Sequence, residues 1–314
     1  MFSPLFREIE ETLLTDQLIP ATPQGAPSVF CIVVNWNGWA DTSACLASLV
    51  QQDYSSLHIV VVDNGSTDDS VARIQAEFPL VSLVLTGRNL GFPSGCDVGI
   101  RHCVAAGADY IWMLNNDTIA PPDTCSRLVA KALAHPSAGI IGSVMYYMHD
   151  PTQVQAWGGG EINALLGRST HALTPFTPGP RSYMTFASAL IPRQVFEQVG
   201  ILYEGFFMYW DDTDLALRVT RAGYSMAVAE DTAILHREGG SSERRSPLID
   251  RFSVASGLHF LRRHSPMPAL SMVFFLTTKL TSRVLQGHWK NARAVLLAIG
   301  DYRRQRGKIF RDTL

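Results

Sequence analysis

Apolar runs of strand length alternate with helix-length segments through the first 120 residues. Residues 28–34 (SVFCIVV), 57–62, 81–86 and 110–114 are apolar and rich in β-branched side chains, while 40–51, 66–78 and 95–107 read as helices. Strands that are apolar without alternation are buried on both faces. The pattern therefore predicts a mostly parallel sheet with helices on both sides, an α/β fold of Rossmann-like type. After Pro121 the pattern is irregular: 139–146 and 181–191 read as strands and 158–180 as a loop region. Residues 211–222 form a clear helix, with Asp211, Asp212 and Asp214 in the first turn, Arg218 and Arg221 in the last, and Gly223 as the stop. Segments 225–229 and 232–236 read as short strands. Residues 247–307 read as two or three basic amphipathic helices, one placing Lys279 and Arg283 on one face and Met272, Leu276 and Leu280 on another. At the start, 1–19 could form a short amphipathic helix and 20–27 (PATPQGAP) a linker. Three parts result: 1–27, a body at 28–242, and a helical extension at 243–314.

Composition narrows the class. A chain that is 46% hydrophobic and 17% charged can bury a full core, and no 18-residue apolar stretch predicts a membrane span. No signal peptide is expected, because the opening MFSPLFREIEE carries acids where a basic region should stand. The five cysteines form no CxxC pair, and their odd number suits a reducing, cytoplasmic compartment, with Cys96 and Cys103 filling the core. The net charge of −2 conceals an asymmetry. Residues 1–236 hold 11 Lys+Arg and 23 Asp+Glu (net −12), and residues 237–314 hold 15 and 5 (net +10). A cationic tail points to an anionic partner, with the cytoplasmic membrane face the first candidate. A plain helical cap or a homo-oligomer surface with solvated charges explains it equally. Nucleic acid rests on the tail's charge alone and is set aside.

Four consecutive loops at the carboxyl edge of the predicted sheet carry Asn and Asp: Asn35 and Asn37, Asp63 and Asn64, Arg88 and Asn89, and Asn115, Asn116 and Asp117. Ligands of open α/β sheets sit at that edge. Each cluster also has a plain reading. Asp63 could begin a strand-to-helix turn capped by Ser66 or Thr67, and Asp117 could belong to a polar turn before Pro121. Gly91 and Gly95 open a helix and permit close backbone approach to phosphate or sugar. Asp211 and Asp212 stand at a helix N-terminus, whose dipole should keep them deprotonated and suited to accept a proton. His236 ends a strand before Gly239-Gly240-Ser241-Ser242; alone it reads as structural.

Six strings in order, VVNWNG, VVDNGSTD, GRNLGFPSGCDVGI, WMLNNDT, FFMYWDDTDLALR and ILHREGGSS, together resemble the family 2 glycosyltransferases, in particular their bacterial rhamnosyltransferase and galactofuranosyltransferase branch. The resemblance spans about residues 28–242. It implies a GT-A fold and an inverting, metal-dependent transfer from a nucleotide-activated sugar. It implies that Asp63, Asn64, Asn35, Asn37, Arg88, Asn89, Gly91 and Gly95 surround the nucleotide, and that Asp97, Asn115 and Asn116 face the donor sugar. By the same resemblance Asp117 and His236 hold a divalent cation (Mg²⁺ or Mn²⁺), Asp212 with Asp211 supplies the base, and Trp210 meets the acceptor. The donor implied is a dTDP- or UDP-sugar, best dTDP-rhamnose, and the acceptor a lipid-linked or cell-surface glycan. The sequence departs from the family pattern in NND for DxD, in Cys96-Asp97 where Asn is usual, and in lacking the QxxRW string of processive synthases. The lack of QxxRW suggests transfer of one or a few sugars, and an acid at Asp97 would repel a diphosphate unless it bonds a sugar hydroxyl. A nucleotidyltransferase on a related sheet would want a basic triphosphate loop, and no Lys precedes Lys131. A lapsed, membrane-binding module would tolerate loss of Asp117, Asp212 and His236, which are all present.

Overall fold

The computed structural model describes residues 25–237 and 246–304. The expected helix at 1–19, most of the linker, the 243 boundary and the Gly239–Ser242 turn lie outside the described residues. The first half runs β1 (Val29–Asn35), α1 (Trp39–Leu49), β2 (Leu57–Asp63), α2 (Ser70–Glu77), β3 (Ser82–Leu85), α3 (Phe92–Ala105), β4 (Tyr110–Asn115), β5 (Thr118–Ile119), α4 (Thr124–Ala134) and β6 (Ala138–Tyr147). It continues with β7 (Asp150–Trp157), β8 (Gly159–Asn163), β9 (Arg168–His171), β10 (Ser182–Met184), β11 (Ser188–Pro192), α5 (Arg193–Val199), α6 (Asp211–Arg221), β12 (Ser225–His236), α7 (Pro247–His264), α8 (Pro268–Leu285) and α9 (Trp289–Arg303).

The main sheet has the order β3-β2-β1-β4-β11-β6-β12-β5, with β7 against β6. Six of its strands (β1, β2, β3, β4, β6 and β12) run one way and three (β5, β7 and β11) the other. It is mostly parallel, as the unbroken apolar runs require. Alternate residues of β1 enter two cores: Phe30 and Ile32 join α3, α6 and the C-terminal helices, while Val29, Cys31 and Val33 join α1 and α4. All five cysteines are buried and free.

The middle of the chain corrects the sequence reading. The region read as a loop at 158–180 contains β8 and β9, which pair with β10 in a separate three-stranded sheet. The expected strand 181–191 is two: β10 pairs with β8, the chain turns where Thr185 N–H donates to Gly158 O, and β11 enters the main sheet. β7 and α5 were not anticipated. The two short strands at 225–236 are one strand, β12, interrupted by a register shift between Ala229 and Ala233.

Candidate active site

The carboxyl ends of β1 and β2 lie side by side, Asn35 paired with Asp63 in the ladder. Asn35 is fully buried and joins the end of β2 and its loop to α1: Nδ2 donates to Asp63 Oδ2 (2.9 Å) and Ser66 Oγ (3.1 Å), and Oδ1 accepts from Thr42 Oγ1 (2.8 Å). Asn116 Nδ2 donates to the same Thr42 hydroxyl at 2.9 Å. Asp63 Oδ1 accepts from Ser66 N–H (2.9 Å), so one Asp63 oxygen holds the loop that follows β2 and the other holds Asn35. Asn37, at φ 49°, accepts from the Thr67 and Asp68 amides through Oδ1 (2.7 and 3.3 Å). Asn64 is internally satisfied, donating to Asn89 Oδ1 and Gly91 O and accepting from Leu90 N–H. Arg88 is exposed beside this loop. Of the predicted nucleotide set, Asn35, Asp63, Asn64 and Asn89 thus form a polar frame that fixes the loops. The outer surface is left to Asn37 and Arg88.

The two glycines serve closeness, but to protein. Gly91 has φ 85°, and a Cβ there would stand 2.5 Å from Phe207 O. Phe92 N–H donates to that same carbonyl at 2.8 Å. A Cβ on Gly95 would meet Asn64 Nδ2 at 3.3 Å. The start of α3 is therefore docked against the segment that leads to α6.

Asp117 and His236 come together at the carboxyl edge. His236 Nε2 lies 3.2 Å from Asp117 Oδ1 and 3.5 Å from Asn115 Nδ2, and Nδ1 lies 2.8 Å from Gln155 Oε1. An amide oxygen only accepts, so Nδ1 carries the proton in this arrangement and Nε2 presents its lone pair to a carboxylate. Two acceptors face to face call for a cation between them, a proton or a divalent metal. Gln155, 3% exposed on β7, orients the ring as partners of metal-binding histidines do. Among the described residues no cluster of three or more His, Cys, Asp or Glu forms. The pair fits a metal whose other ligands come from a bound diphosphate. Asp41 lies close by; Arg237 Nη1 reaches its Oδ1 at 2.8 Å, and Arg237 N–H donates to Asp117 O at 2.9 Å. Burial raises the Asp41 carboxyl, opposed by Arg237. Neither Asp41 nor Arg237 was singled out in the sequence, because their meeting depends on β12 ending beside α1.

Helix α6 presents the acids. Tyr209 and Trp210, both at φ 70°, turn the chain so that α6 starts at Asp211. Such left-handed non-glycine residues persist only where their surroundings hold them. Here Ser256 Oγ donates to Met208 O (2.9 Å), and the Trp210 indole N–H to Ser253 O (3.1 Å). The Trp210 ring packs 4.6 Å from Phe260. The polar edge of the indole is thus taken by α7. Asp211 is buried, and burial with the adjacent Asp212 drives its carboxyl well above the usual range. Asp212 is half-buried; burial raises it to about 6 against the opposing amides of Thr213 and Asp212. Its Oδ1 accepts from Thr213 N–H at 2.6 Å. The expectation that the helix dipole keeps both carboxyls low is corrected: desolvation outweighs it and raises both, with the Asp212 charge adding to the rise at Asp211.

Asp97 is also corrected. It is 1% exposed, its Oδ1 accepts from Leu202 N–H at 2.9 Å, and burial pushes it up to about 8. It is a neutral acid holding the 200–206 segment, so the diphosphate repulsion that the sequence suggested does not arise. Two further groups lie on the small sheet, whose strand β10 packs against α6. Tyr183 on β10 has its phenol raised first by burial and then by the Asp212 charge, and its hydroxyl lies 3.1 Å from His171 Nδ1 on β9. Sequence reasoning missed both, since only the small sheet brings them to α6.

Comparison with known proteins agrees with this geometry. The family model described as glycosyl transferase family 2 matches residues 30–200. The N-acetylglucosaminyl-diphospho-decaprenol L-rhamnosyltransferase of Mycobacterium tuberculosis is 27% identical over 225 residues, 63% of this chain and 72% of the relative. The dTDP-rhamnosyl transferase RfbF of Shigella flexneri is 24% identical over 250 residues, 76% of this chain and 82% of the relative. Among solved structures, the mannosyltransferase PcManGT from Pyrobaculum calidifontis, in complex with GDP-Man and Mn²⁺, superposes with a TM-score of 0.54 at 18% identity, covering 94% of this chain and 80% of that one. With the family match extending over more than half its length, the chain belongs to glycosyl transferase family 2 and is a glycosyltransferase of GT-A fold.

Proposed function

We propose that this glycosyltransferase is inverting and metal-dependent, moving a deoxyhexose, best rhamnose from dTDP-rhamnose, to a hydroxyl of a lipid-linked or cell-surface glycan at the cytoplasmic membrane face. The observation that carries the chemistry is the split pair on α6. Asp212, raised to about 6, is ionised at neutral pH yet basic enough to take the acceptor's proton as its oxygen attacks the anomeric carbon. Burial and the Asp212 charge both favour the neutral form of Asp211 beside it. The C–O bond to the nucleoside diphosphate breaks as the new glycosidic bond forms on the opposite face, and the proton ends on Asp212. Asp117 and His236 would hold the divalent cation, which when bound neutralises charge on the departing diphosphate. Asn37 and Arg88 border the nucleotide, while Asn35, Asp63, Asn64 and Asn89 keep its loops in place. Tyr183 and His171 line the acceptor side next to Asp212. The names of the rhamnosyltransferase relatives support the choice of sugar, and the decaprenol-linked acceptor named for one of them supports the carrier.

The test is thermal shift of the purified chain with dTDP, UDP and GDP, each with Mg²⁺, Mn²⁺ or EDTA. A nucleotide at 100 times its Kd stabilises by about 2.7 kcal/mol. A metal-dependent shift with dTDP is expected, followed by transfer from dTDP-rhamnose to a diphospholipid-linked sugar. A shift unchanged by EDTA overturns metal dependence. A shift with GDP alone overturns the donor.

A further inference from the structure

Helix α8 carries its charges inward and its apolar stripe outward. Arg283 Nε and Nη2 reach Asp250 on α7 at 2.7 and 2.8 Å, and Lys279 Nζ lies 5.5 Å from the Phe275 ring centroid. The opposite face, Leu270, Val273, Phe274, Thr277, Thr281 and Leu285, recurs at helical spacing and holds no charge. Leu270 is 58% exposed, Val273 59% and Leu285 81%. The Thr277 hydroxyl turns back onto its own helix, donating to Val273 O and Phe274 O at 2.9 Å. The sequence placed Lys279 with Arg283, and Met272, Leu276 and Leu280 together; both sets meet the protein, the apolar one against the main core.

Helix α9 continues the surface in a different key. Trp289, four residues after Leu285, is 67% exposed, and Leu296 and Leu297 are 54% and 47% exposed. Exposed Lys290 and Arg293 stand among them and pair with no carboxylate among the described residues. The one acid of α9, Asp301, is buried and bound to Arg251, with Nη2 to Oδ1 at 2.8 Å. A second copy of this face would bring the same cations and no exposed acid of α9 to meet them. Charge complementarity instead selects an anionic sheet into which an apolar stripe can sink.

We propose that α8 and α9 dock the enzyme on an anionic lipid surface, the stripe from Leu270 to Trp289 entering the headgroup–acyl boundary and Lys290 and Arg293 meeting lipid phosphates. No described helix is long and apolar enough to cross a membrane, so this is attachment in the plane of the surface. The proposal names the surface that would bring the enzyme to a membrane-held acceptor, yet it stands on the α8–α9 face alone. Flotation of the full chain with phosphatidylcholine vesicles, with and without phosphatidylglycerol, tests it. The wild type is expected to float with the anionic vesicles and at least about tenfold less with neutral ones, two cations contributing roughly 1 kcal/mol each. Leu285→Glu with Trp289→Glu, and separately Lys290→Glu with Arg293→Glu, should each lose about tenfold, with unchanged melting temperature and nucleotide-induced shift. Wild type left in the dense fraction, or either variant floating as well as wild type, overturns the proposal. So does a dimer that Leu285→Glu breaks in the absence of vesicle binding, which assigns the face to a second copy. Failure of the nucleotide shift alone sinks the catalytic reading and leaves the flotation result intact.

Discussion

Asp211 and Asp212 are adjacent in sequence and identical in chemistry, yet burial raises both carboxyls, with the adjacent Asp212 adding to the rise at Asp211. Replacing each by Asn distinguishes their roles. With a carboxyl raised to about 6, Asp212 is ~90% ionised at pH 7 and ~10% at pH 5, so turnover should fall about tenfold across that interval. Asp212→Asn removes the proton acceptor and should cost roughly 10²–10⁴ in kcat, flattening the acid limb. Asp211→Asn mimics the neutral carboxyl that burial favours there and should stay within about threefold of wild type at pH 7. Its stability should respond to pH in a defined sense. The Asp211 carboxyl ionises more easily in the unfolded chain than in the folded one. The wild type therefore loses stability relative to Asp211→Asn as pH rises above the ordinary carboxylate range, by at most ~1.4 kcal/mol per pH unit. The assay is initial-rate transfer from dTDP-rhamnose between pH 5 and 8, with thermal melts at each pH. Equal losses for the two variants, or a wild-type rate indifferent to pH between 5 and 7, would refute the reasoning.

Three further outcomes follow from other parts of the molecule. Gln155→Leu leaves the His236 ring without its Nδ1 acceptor and should weaken metal affinity about 10–100-fold, read as a displaced Mn²⁺ titration of the nucleotide-induced melting shift. Gly91→Ala places a Cβ against the Phe207 carbonyl at φ 85° and should lower stability by roughly 1–3 kcal/mol, measured by denaturant midpoint. Asp214 accepts from Arg218, Arg263 and His264 within 2.8 Å, and these partners hold its carboxyl down to about 2 against burial. Its stabilisation is full above the ordinary carboxylate value and is lost as pH falls toward 2. Asp214→Asn should cost roughly 3–5 kcal/mol in chemical melts by stranding buried cations.

The first four strands were legible because a strand buried on both faces must be apolar throughout, and the loops between them carried Asn and Asp in plain view. The stretch from Asp150 to Val199 was not. Its strands β8 to β10 are three to five residues long, β9 is wholly exposed, and their pairing brings together residues up to 25 apart, as with Met184 and Gly159. No local periodicity records such pairing. The acids show the other difficulty. Asp63, Asp97, Asp117 and Asp212 look alike in the sequence, and only their partners in the fold separate a loop frame and a buried strut from the proposed metal ligand and the proposed base. Helical spacing did place Lys279 with Arg283. It could not say which side of α8 met the protein, because that is settled by Asp250 on another helix.

The strained turn at Tyr209 and Trp210 has a consequence for what counts as a transferable unit. The family match ends at residue 200, yet the proposed base stands at 212, and the turn that aims it is pinned by Ser253 and Ser256 of α7. A chimera spliced at the end of the matched region, or before α7, would keep the nucleotide loops and lose the peg that sets Asp212. Grafting a new donor specificity onto a relative therefore means carrying α7 along with the first sheet. Exchange of the outer helices alone is the cut that leaves the turn's pegs on Ser253 and Ser256 in place.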